Sequence, residues 1–70
     1  MMPLIYADVG DELIIKKLGG NPSTKKHLEN LGFVVGGTVT VLTAINGNLI
    51  VRVKESRVAI DQAMAQKIMV

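Results

Sequence analysis

Seventy residues, 49% of them apolar and none of them cysteine, make one small domain held by an aliphatic core, without disulfides or a thiolate metal site. Eight basic residues against six acidic leave a net charge of only +2, and one tyrosine and one phenylalanine are the sole aromatics. Scattered charge with so few stacking rings argues against nucleic-acid binding.

The opening stretch MMPLIYADVGDEL has neither a basic leader nor a long apolar segment, and no run in the chain is long enough to span a bilayer. A soluble, cytoplasmic protein without direct membrane insertion is expected. After a turn around Gly10, ELIIKKL predicts a strand over Glu12 to Leu18, with Leu13, Ile15 and Lys17 on one face and Ile14, Lys16 and Leu18 on the other. Apolar residues on both faces suit a strand covered from both sides, as in a small closed barrel. Gly19 and Gly20 end it.

NPSTKKHLENLG then reads as a short helix. Asn21 or Ser23 can cap its free N–H groups, Pro22 suits its first turn, and Gly32 suits the left-handed position past its end. Only Leu28 and Leu31 form an apolar pair at i, i+3, so most of this helix faces water. Phe33, Val34 and Val35 follow, three apolar residues in a connection that ought to be polar. All three can hardly point inward from so short a link. Phe33 is expected inside, with Val34 or Val35 left outside.

Alternation begins at Thr38, with Val39, Val41 and Thr43 on one face and Thr38, Thr40 and Leu42 on the other; β-branched residues dominate. Asn46-Gly47 supplies positive φ for a tight hairpin turn. The return strand sets Leu49, Val51 and Val53 against Ile50, Arg52 and Lys54. A second turn and a short strand follow, with Val58 and Ile60 inward. Asp61 then caps a brief helical turn whose apolar stripe is Ile60, Ala63, Met64 and Ile68. A terminal strand within KIMV can pair with the first and close the sheet. The expected fold is mainly β: a small five-stranded barrel with one inserted helix and a short C-terminal helical turn, a single domain over residues 1–70.

No stretch carries catalytic chemistry. His27 lacks a nucleophile or acid partner, and Ser23 and Ser56 sit where caps and turns favour serine. GGNPSTKK looks like a phosphate loop, but Thr24 stands where the second glycine belongs. Asp8, Asp11 and Glu12 cluster around Gly10 without calcium-loop spacing, and one histidine without cysteine cannot build a closed zinc or iron site. No catalytic, cofactor-binding or metal-ligating residue is assigned.

LENLGFVVGGTVTVL resembles the segment of the ferrous iron transport protein A family (FeoA) in which a helix ends in Leu-Gly-hydrophobic and a Pro-Gly-type turn precedes an alternating strand. NGNLIVRVKESRVAIDQAMAQKIMV is similar to that family's ending, and PLIYADVGDELIIKKLGG to its opening. One departure is Val35, where the family often has proline before Gly36. The resemblance implies an SH3-like barrel and a non-enzymatic cytosolic accessory of a FeoB-type ferrous iron permease, whose cytosolic end carries a GTP-hydrolysing domain. It implies action by protein contact, at most peripheral to the inner membrane through that partner. The docking surface expected from the apolar connection is Leu28, Leu31, Gly32, Phe33, Val34 and Val35. Two other readings remain: a regulatory module like the C-terminal domain of iron-dependent repressors, and a generic nucleic-acid-binding small barrel. A repressor needs a DNA-reading helix pair, which no stretch here suggests. Exposed strand edges and the apolar turn would equally support a weak homo-oligomer.

Overall fold

The helix forms where its punctuation places it. In the computed structural model, which describes residues 1–70, α1 spans Pro22–Leu31 and Thr24 N–H donates to Asn21 Oδ1 at 2.8 Å. Asn21 is therefore the cap, and Ser23 lies inside the first turn. The hairpin also forms as read. Strand β3 (Thr38–Ile45) returns as β4 (Asn48–Val53) through Asn46 and Gly47, at φ 52° and 83°. Positive φ at both central residues is what a turn compatible with strand twist needs. Leu49, Val51 and Val53 are buried while Ile50 and Arg52 are exposed, so β4 alternates throughout. β3 does not. Its register shifts between Val41 and Thr43, and Thr43 ends up opposite the outward Ile50 instead of sharing the face of Val39 and Val41. A bulge of this kind bends the strand and increases its twist.

The single strand expected over Glu12 to Leu18 is two. β1 (Glu12–Ile14) pairs with β3, whereas β2 (Lys17–Leu18) pairs with β6 (Ile68–Met69). The change of partner happens across Ile15 and Lys16. Ile15 N–H donates to Gly37 O at 2.9 Å, and the next amide, Lys16 N–H, donates to Met69 O at 2.8 Å. The five-stranded expectation is thereby corrected to six strands in two sheets. One has the order β1-β3-β4-β5, with β5 covering Ser56–Ile60, and the other is β2-β6. No continuous hydrogen-bonded ring joins them.

Helix α2 (Gln62–Ala65) starts as predicted, with Met64 N–H donating to Asp61 Oδ1 at 2.8 Å. Its buried alanine is Ala65, while Ala63 is exposed. The expected stripe starts from Ile60, but Asp61 is still extended, so the helical period begins one residue later. The N-terminus brings a further surprise. Met2 and Val70 exchange both backbone hydrogen bonds at 2.8 Å, which extends the small sheet, and a 3-10 turn at Leu4–Tyr6 sinks Leu4 completely into the interior. The core is wholly apolar: fifteen buried hydrophobic residues and no buried polar one. No helix is long and apolar enough to cross a membrane.

Candidate functional site

The apolar connection after α1 divides into two short structures. Gly32 sits at φ 109°; its N–H donates to Glu29 O at 2.9 Å, and Phe33 N–H donates to Leu28 O at 3.0 Å. This pair of bonds is a Schellman ending, which characteristically brings the residue after the glycine onto the helix residue three before its cap. Here those two residues are Phe33 and Leu28, both with no exposed surface and both in the core cluster. Phe33 is apolar because the helix stop aims it inward.

Val34 opens the second structure. Gly37 N–H donates to Val34 O at 2.9 Å, and Gly36 at φ 90° occupies the third place of that four-residue turn. Positive φ there is the pattern of a type II turn, whose second place suits proline. Val35 holds that second place, so the family's departure at this position leaves the turn intact. Gly36 N–H also donates to Ile15 O at 2.8 Å, which ties the turn to the point where the chain changes sheets. Held in this way, Val35 is 64% exposed and Val34 half-buried.

The six residues expected to dock therefore fall into two sets. Burial removes Leu28 and Phe33 from any contact surface; they fix the segment from beneath. Leu31 and Gly32 are half-buried and, with Val34 and Val35, present the surface that remains.

A groove of about 330 Å³ opens beside that surface, and the sequence reading missed it. Its lining comes from β1, the end of α1, the turn, β3, β4 and the connection that follows β4. Glu12 lies opposite Thr40, and Thr40 opposite Arg52, so these three side chains form one row across the outer face of the sheet. Thr38 and Lys54 line the groove one step along, and Gly32, Val34 and Gly37 form its end. Lys54 itself stands at φ 56°, an uncommon value for a residue with a side chain. No motif announces this groove, because strand register and not sequence proximity assembles it. Elsewhere, no three His, Cys, Asp or Glu side chains gather where they could hold a metal ion. His27 is exposed on α1.

A sequence profile described as the FeoA domain matches residues 2–70. A Methanocaldococcus jannaschii protein named "Putative Fe(2+) transport protein A" is 36% identical over 70 residues, all of this chain and 85% of that one. Among solved structures, an iron uptake regulatory protein (FeoA) superposes with a TM-score of 0.87 at 28% identity, covering 96% of this chain and 89% of that one. A Stenotrophomonas maltophilia FeoA complexed with zinc, described as a procaryotic SH3 domain protein, gives 0.72 at 23% identity, over 99% and 88%. A manganese-dependent transcriptional repressor gives 0.86 at 19% identity, over 94% of this chain but 38% of the repressor. With these last two proteins, the shared property is the SH3-like architecture.

Proposed function

The chain belongs to the FeoA domain family, and from that premise we propose that it is a small accessory of a ferrous iron uptake system, acting by contact with the cytosolic GTPase part of a FeoB-type permease. The working location is the cytoplasm, at the inner membrane only through that partner. The observation that carries the reading is the pinned turn. Val35 is 64% exposed on a loop held by three backbone hydrogen bonds, from Gly37 to Val34, Gly36 to Ile15 and Ile15 to Gly37. An apolar side chain on a preordered loop binds without a large ordering cost. Full burial of one valine is worth roughly 1.5–3 kcal/mol, which suits a reversible regulator that docks with two or three such side chains.

The test is an amide-shift titration of the labelled chain with the full-length permease in nanodiscs of neutral lipid. Broadening centred on residues 31 to 36 is the expected result. Val34→Asp, at a half-buried position, should weaken that binding about tenfold or more while leaving the remaining spectrum native. A folded Val34→Asp chain that binds as well as the parent would remove this reading.

A further inference from the structure

We propose that the groove beside the turn receives an acidic side chain from the docking partner, so that the partner segment offers an aspartate or glutamate next to an apolar residue. This rests on the docking reading above and adds the chemistry of what docks. The apolar residue covers Val34 and Val35, and the carboxylate reaches Arg52 and Lys54.

Charge supplies the first argument. Arg52 and Lys54 line the groove, and Arg57 continues the row opposite Arg52 on β5, with all three side chains exposed. Glu12 is the single acid in the lining. Two cations to one anion in the lining, with Arg57 beside Arg52, favour an anionic ligand, and an arginine fork matches a carboxylate in two parallel hydrogen bonds. Thr38 and Thr40 add hydroxyl donors to the groove lining.

Backbone and charge together then favour carboxylate over phosphate. A phosphate site normally uses free amide N–H groups arranged as a concave nest. The two glycines at this end of the groove have none to give. Gly32 N–H is bonded to Glu29 O and Gly37 N–H to Val34 O. The Val34 and Lys54 amides in the lining bond no backbone carbonyl, so charge carries the distinction: the Glu12 carboxylate opposes a dianion with about twice the repulsion it offers a single carboxylate. Size agrees, because about 330 Å³ lies at the bottom of the range for small-molecule pockets and accommodates side chains better than a nucleotide. Continuity agrees as well, since Gly32 and Val34 belong both to the groove and to the docking surface.

The experiment measures affinity of the full chain for the permease in neutral-lipid nanodiscs, at low and high salt. The double variant Arg52→Glu/Lys54→Glu alters two exposed positions and is expected to bind roughly 10–30-fold more weakly, with most of the parent's salt dependence lost. If that variant fails to show a native amide spectrum, Arg52→Gln alone takes its place, with an expected loss of about fivefold. Glu12→Gln removes the opposing carboxylate and is expected to bind about two- to threefold more tightly. Unchanged affinity of a folded charge variant, alongside weakened Val34→Asp, would overturn the acidic-ligand inference and leave the docking reading standing. Absence of binding by the parent chain would overturn both. A parallel titration with inorganic phosphate closes the remaining route: saturable shifts at Thr38, Arg52 and Lys54 that compete with the permease would assign the groove to free phosphate and overturn the proposal.

Discussion

Phe33 and Val35 stand two residues apart in the same apolar run, yet one has no exposed surface and the other is 64% exposed. Hydrophobicity does not separate them; backbone hydrogen bonds do. Phe33 N–H closes the helix onto Leu28 O, and that bond turns the ring under the helix end. Val35 occupies the second place of a turn whose carbonyl and amide ends are Val34 and Gly37, so its side chain is held away from the core. The two regions teach that a run of apolar residues can be half anchor and half display, divided by a change of turn type between them.

Removing the anchor is the harshest way to break this division. Phe33→Ala empties a fully enclosed site and should cost about 3–5 kcal/mol. A 70-residue domain has roughly 4–10 kcal/mol in all at 0.05–0.15 per residue, so this variant should be marginally folded at best in urea or thermal unfolding. A loss under 1 kcal/mol would mean that Phe33 is not an anchor. Gly32→Ala attacks the divider instead. A Cβ there would lie 3.5 Å from Val53 Cγ1, an ordinary contact, so crowding is not the obstacle. The left-handed φ of 109° is, and about 1–2 kcal/mol of destabilisation is expected from it alone. Both values follow from denaturant midpoints at unchanged slope.

Where signals were local, the fold was legible in the sequence. Asn-Gly between two β-branched runs specifies its hairpin without remote help, and Asn21, Pro22 and Gly32 bracket α1 within twelve residues. The break at Ile15–Lys16 had no such signal. Its causes, Gly36, Gly37 and Met69, lie 21 to 54 positions away and supply hydrogen bonds that ELIIKKL cannot reveal. The bulge between Val41 and Thr43 leaves only a faint trace, the adjacent apolar Val41 and Leu42 that interrupt the Thr-Val alternation where the pairing slips. Leu4 gives no signal in the sequence, since its three-residue turn is too short for any period. As for the site, the connection was visible as an anomaly, but Leu28 and Phe33 could not be told from the displayed residues by composition. The groove was invisible because Glu12, Thr40 and Arg52 become neighbours only through register.

The smallest change sharpens the comparison most. Val35→Pro places proline at the second position of a turn with positive φ at its third, where the ring's fixed φ is compatible. Val35 N–H donates to no backbone carbonyl, so no hydrogen bond is lost. The unfolded chain loses freedom while the native turn is unchanged, and stabilisation of about 0.4–1 kcal/mol should follow. In a domain of this size that is a rise of roughly 2–8 °C in Tm. The same substitution keeps three side-chain carbons but folds them back onto the backbone nitrogen, so the apolar group projects less than valine does and permease binding should weaken severalfold. Stability and affinity would then move in opposite directions at one residue. If Tm falls instead, the turn is not of the proline-compatible type. If Tm rises and affinity holds, Val35 is displayed but not used, and Val34 with the neighbouring groove carries the contact.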